Sequence, residues 1–110
     1  MKTQTKLIKK YAAAFAKLAD KLSAKNVMVT VESVRNRHAT SIRFVIYSEP
    51  DVSLLLDLEV KDFGDFQKFE TKIGSLPTNE HPFEPEFITK ANEAIQTLLG
   101  ENAPQLEVKP

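Results

Sequence analysis

Asp62, Phe63 and Gly64 stand together in the stretch DFGDFQKFE, residues 62–70. An Asp-Phe-Gly run can hold magnesium against the phosphates of a nucleotide. That chemistry also needs a glycine-rich loop over the phosphates, a strand lysine and a catalytic Asp–Asn loop. The 110-residue chain contains none of the three. Asp62 and Gly64 are therefore read as the end of a strand. Asp65 is read as the cap of a short helix carrying Phe66, Phe69 and Ile73, with a fourth short strand as the alternative.

Other residue types that do chemistry are sparse. There is no cysteine, so disulfides, thiolate metal sites and cysteine nucleophiles are excluded together. His38 and His81 fall in separate predicted loops with no carboxylates at ligand spacing, so no metal site is expected. The sequence has no Gly-x-Ser-x-Gly elbow, P-loop or dinucleotide fingerprint. Asp57 and Glu59 share one strand face and are a conceivable acid–base pair. A solvated strand face accounts for the same alternation, and paired carboxylates work only inside a cleft. The expectation is a protein that is not an enzyme and needs no cofactor, with a small enzyme as the third-ranked reading.

The elements that carry these residues follow from periodicity. Leu7, Tyr11, Ala14, Phe15, Leu18 and Leu22 form one face of a helix running from Thr5 to Ala24. Ala12, Ala16, Ala19 and Ser23 make a smooth strip beside it, which predicts a closely packed neighbouring helix. Three alternating runs then predict an antiparallel meander. Its inward residues are Val27, Val29 and Val31, then Ile42, Phe44 and Ile46, then Val52, Leu54, Leu56, Leu58 and Val60. The first hairpin turns through RNRH with Asn36 near its centre. Face parity requires three or five residues in the second turn, around Glu49 to Asp51, and sets Arg43 opposite Asp57 or Glu59. A last helix from Pro85 to Leu99 buries Phe87, Ile88, Ala91, Ala94, Ile95 and Leu98 and is capped by Gly100. The predicted fold is α+β, a two-layer sandwich in a single domain, 1–110. Both helices lie on one face of a three-stranded meander, and 101–110 forms a loose tail in which QLEV could add a short edge strand.

Charge is balanced in total but divided along the chain. Residues 1–48 hold ten Lys and Arg against Asp20 and Glu32, whereas the remainder holds five Lys against thirteen Asp and Glu. Lys6, Lys10, Lys17 and Lys21 flank the first helix, and with Arg35 and Arg37 they compose a basic stripe able to hold nucleic-acid phosphates. The order of helix, three strands and helix is similar to that of double-stranded RNA-binding domains, with His38 in the first hairpin where those domains place a groove-contacting loop. The likeness is one of topology. The stretch HPFEPEFITK holds Glu84, Glu86 and only Lys90 where such domains open their final helix with lysines. Lys2, Lys6, Lys9 and Lys10 before YAAAFA imitate the start of a secretory signal, but Lys17 interrupts the apolar run, so a cytoplasmic protein without a membrane segment is expected.

The open face of the sheet is the strongest candidate surface. Met28, Val45, Tyr47 and Leu55 would form an apolar patch there beside Arg43, Asp57 and Glu59, unless Phe63, Phe66 and Phe69 fold over it. The function expected is that of a small non-enzymatic interaction protein, binding another protein or a second copy of itself. An inhibitor or accessory protein of a mobile element is one version. Nucleic-acid binding through the basic stripe is the alternative.

Overall fold

The computed structural model describes residues 5–109. Helix α1 (Lys6–Ser23) is followed by β1 (Met28–Arg35), β2 (Thr40–Tyr47), β3 (Leu54–Asp62), β4 (Gln67–Ile73), β5 (Asn79–His81) and helix α2 (Glu84–Leu99). The strands form one antiparallel sheet in chain order, β1-β2-β3-β4-β5. The α+β class is as expected, but the sheet has five strands where the sequence suggested three, or four with a short strand after the third. Topology therefore departs from the helix–three strands–helix order.

Helix α1 begins where Thr5 caps it, its hydroxyl accepting from the Ile8 amide at 3.2 Å. Its buried face is Ile8, Tyr11, Ala14, Phe15, Leu18 and Leu22, so Ile8 takes the place expected of Leu7. Helix α2 starts with Glu84, Pro85 and Glu86, a first turn that suits the positive end of a helix dipole. Gly100, at φ 102°, ends it, its amide donating to the Gln96 carbonyl. Both helices pack on the same sheet face. Tyr11 sits at the centre of that core, its ring 5.6 Å from Phe15, 5.9 Å from Phe87 and 6.2 Å from Phe69.

One alternative is decided and two expectations are corrected. Residues 67–73 form the fourth strand that stood as the alternative to a short helix, because Phe69 and Thr71 alternate inward while Lys68, Glu70 and Lys72 face out. The second turn spans 48–53, an even number of residues, and Leu55 is the extra residue of a bulge. Tyr47 pairs with Leu54 while Ile46 pairs with Leu56. The bulge restores the parity that the turn would have broken, so Leu55 packs against the core and Val52 leaves the strand altogether, exposed at φ 54°. Finally, the C-terminal segment is not loose. Leu106 is 2% exposed, and Asn92 both donates to its carbonyl at 3.1 Å and accepts from its amide at 2.7 Å.

The first hairpin turns where its sequence suggested, but Asn36 opens the turn and does not sit at its centre. The Asn36 side chain accepts from the amides of His38 and Ala39.

Candidate partner-binding face

The face of the sheet turned away from the helices is built from alternate residues of every strand. Across the strands, the pairing aligns Met28, Tyr47 and Leu54 in one row, and Thr30, Val45, Asp57 and Lys72 in the next. A third row is Glu32, Arg43, Glu59, Glu70 and Glu80. A fourth is Val34, Ser41, Lys61 and Lys68. Each row comes from register, not from sequence proximity.

Arg43 organises the middle of this face. It lies directly opposite Glu59, as one of the two permitted registers required, yet it binds the diagonal Asp57. Its Nε donates to both carboxylate oxygens at 2.9 and 3.1 Å, and its Nη2 donates to Oδ2 at 2.6 Å. Glu32 on β1 flanks the other side at 3.7 Å. The hydrogen bonds to Asp57 hold the guanidinium well above its ordinary range. Burial raises Glu59 above the usual carboxylate range, with Lys61 opposing that shift. Further out, Lys61 reaches Glu70 at 3.3 Å and Lys68 reaches Glu80 at 3.6 Å. Beyond β3 the face is thus a lattice of solvated ion pairs.

The apolar part is smaller than the sequence suggested, and displaced. Met28, Tyr47 and Leu54 are half-buried in their row, and Val45 is only 1% exposed although it lies outside the main core. Leu55, assigned to this patch from alternation, is withdrawn by the bulge, and Leu54 takes its place beside Tyr47. Phe63 and Phe66 stack on each other at 4.7 Å in the β3–β4 turn, Phe66 remaining exposed, and Phe69 belongs to the core. Phe63 lines a cleft with His38, Ser41 and Arg43 at the end of the sheet away from the Met28 row.

The basic stripe is only partly available. Lys6, Lys17 and Lys21 are exposed on α1, and Arg35 and Arg37 are exposed at the end of β1 and in its turn. Lys10 is committed, its ammonium 3.0 Å from Glu84 on α2. Glu84 also accepts from the buried Tyr11 hydroxyl at 2.7 Å. Burial alone would raise the Glu84 carboxyl, but the Tyr11 hydroxyl and Lys10 together bring it below its ordinary value. Burial alone would likewise raise the Asp62 carboxyl, but hydrogen bonds from the Gly64 amide and the Thr5 and Gln67 side chains together leave it depressed.

These carboxylates give a pH prediction. A depressed folded-state value means stability is present above the unfolded carboxyl range, roughly pH 4–4.5, and is lost as pH falls through the folded value. Glu59 has the opposite sign and returns a little stability on protonation. Urea midpoints compared at pH 7 and pH 3 should fall less in Glu84→Gln than in the unaltered chain. An equal fall in both would show that the Tyr11–Glu84–Lys10 cluster contributes nothing to acid sensitivity.

His81 is the residue whose setting the sequence hid. It is buried on the last strand, Nε2 facing the Thr71 hydroxyl at 2.9 Å and Nδ1 facing Glu86 Oε1 at 3.1 Å. Hydroxyl, imidazole and carboxylate in a line is the order of a nucleophile, base and orienter. Here Thr71 is itself buried, and the chain links three elements, β4, β5 and α2. A three-residue strand has few ladder bonds of its own, and these side-chain contacts add ties from it to β4 and α2. No signal short of the register could have joined residues 71, 81 and 86. Among the described residues, no group of three or more potential ligands could hold a metal.

No protein-family model matches this chain, and no curated protein or solved structure matches it either. Among the described residues, no helix is long and apolar enough to cross a membrane.

Proposed function

We propose that the protein is a non-enzymatic interaction protein that binds another protein, or a second copy of itself, through the open face of its sheet. One observation carries this reading: both helices pack on one side, leaving the other side of a five-stranded sheet without a covering layer. Its Met28–Tyr47–Leu54 row offers apolar area. The neighbouring Arg43, Asp57 and Glu59 offer fixed charges, which favour one partner over others more than they add affinity. Inhibition or accessory action on a larger machine is the version that best suits a small domain working by occupancy.

Tyr47→Glu tests the face without entering the core, because Tyr47 is half-buried and outward. Partner capture or self-association, followed by pull-down and sedimentation velocity, should fall at least tenfold while the far-UV spectrum is unchanged. Undiminished binding would place the contact elsewhere. Leu55→Glu is unsuitable, since it would bury a charge against the core.

Nucleic-acid binding is the second reading, supported by the exposed Lys6, Lys17 and Lys21. Nuclease treatment before capture separates the two: protein partners that survive it support the open face, and loss of all captured material supports the lysines.

A further inference from the structure

At one end of the open face two turns stand side by side, because Thr40 of β2 pairs with Asp62 of β3. One is the β1–β2 turn, residues 36–39, and the other is the β3–β4 turn, residues 63–66. The second turn continues the ladder of its strands. Lys61 faces Lys68, and beyond them the Phe63 amide donates to the Phe66 carbonyl at 2.9 Å. By alternation Phe63 and Phe66 therefore stand on the open face, as an aromatic row bordering a lysine row.

The aromatic row is flat, exposed and held still. The two rings lie 4.7 Å apart and 12° from parallel, and Phe66 is 51% exposed. Phe63 covers one face of the Phe66 ring, so the exposed area is the other face and the edge. The buried Asp62 fixes the turn from beneath, accepting from the Gly64 amide at 2.8 Å and from the Gln67 side chain at 3.3 Å. The Lys68 ammonium lies 5.9 Å from the Phe63 ring centroid. Its pair with Glu80 is solvated on both sides, so exchange of that carboxylate for another anion costs little.

Beside the stack, Asn36, His38, Ser41, Lys61 and Phe63 line a cleft of about 410 Å³, the size of a small-ligand site. Asn36 spends its carboxamide oxygen on the amides of His38 and Ala39, which leaves its amide nitrogen to donate. Arg43 stands between Glu32 and Glu59 at the inner end of the cleft. The outer end is basic. Residues 34–41 and 61–68 hold Arg35, Arg37, Lys61 and Lys68 against Asp62, which is turned inward, and Asp65.

An open ring face, cations beside it and a cleft of mixed donors suit a ligand that is planar, hydrogen-bonding and anionic. A nucleobase with its phosphates has all three properties. Base faces are hidden by stacking in a duplex and open in a single strand. We propose that this end of the sheet binds single-stranded nucleic acid. One base stacks on Phe66, a neighbouring base enters the cleft, and the phosphates lie on Lys68, Lys61 and Arg37. The Met28 row is at the other end of this face, and the lysines of α1 are on the helical side of the sheet, so neither takes part.

The test is fluorescence anisotropy of labelled oligothymidylate and oligouridylate, about twelve nucleotides long, against a duplex of equal length. The unaltered chain should bind at least one single strand about tenfold more tightly than the duplex, or better. Phe66→Ala should weaken that binding by about 5- to 100-fold, whereas Phe66→Tyr, which keeps the ring, should retain it. Lys68→Ala should reduce the slope of log affinity against log salt by about 0.7, the share of one phosphate contact on a single strand. Far-UV spectra check that each variant folds, and Phe66→Leu, apolar but without a ring, replaces an unfolded Phe66→Ala. Equal or tighter binding of the duplex, or no binding of either single strand, overturns the proposal. So does undiminished binding once the ring is removed, and loss of that binding in Lys17→Glu would then place the strand on α1.

Discussion

Phe44→Ala is expected to cost about 3–5 kcal/mol, the usual penalty for emptying a buried aromatic site. Phe44 is fully buried, opposite Val31 and Leu58, with its ring 5.4 Å from Phe15. One residue earlier the face reverses. Arg43→Ala should cost roughly 1 kcal/mol, the top of the range for a cross-strand ion pair, because its partner Asp57 is only 13% exposed. Urea denaturation of the two variants measures the difference. A comparable loss at both positions would mean that the open face is no more solvated than the core face.

Leu106→Ala should cost about 2–5 kcal/mol, which no loose tail would do. The residue belongs to the same buried cluster as Tyr11, Phe87 and Ile95. Asn92→Ala should cost less, about 1–3 kcal/mol, by leaving the Leu106 amide and carbonyl without their partner. Thermal or urea unfolding checks both, and a Leu106→Ala midpoint equal to that of the unaltered chain would show that the segment contributes nothing to the core.

How much of this was legible depends on the residue types at each position. Ile42, Phe44 and Ile46 alternate with Ser41, Arg43 and Tyr47, so a period of two exposes both faces of β2 and fixes Arg43 near Asp57 and Glu59. Val45 is the exception in that strand, apolar on the outward side and still buried. The Leu54–Leu55–Leu56 run concealed the bulge: when three consecutive residues are identical, alternation cannot say which one is extra. In β4 the inward positions are Phe69 and Thr71, and a threonine in the core weakens a period-two signal. Phe66, Phe69 and Ile73 meanwhile imitate helical spacing. Strand β5 is too short to declare itself, and its anchor, His81, was indistinguishable from a loop histidine until β4 lay beside it. The candidate face was legible in outline through Arg43, Asp57 and Tyr47. Its outer half, with Lys68, Glu70, Lys72 and Glu80, was not.

The chain-order sheet carries a kinetic consequence. Every strand pairs with its neighbour in sequence, so each ladder closes over one short turn and loses little loop entropy. Contacts of high sequence separation are concentrated where the chain's two ends meet, as between Tyr11 and Glu84, which stand 73 positions apart. Hairpins β1–β2, β2–β3 and β3–β4 should thus assemble early, and the meeting of α1, α2 and the 103–109 segment should complete the structure. In native-state hydrogen exchange the order would run in reverse. Amides of the central strands would open only with global unfolding, whereas Leu106 and its neighbours would exchange through a smaller, earlier opening.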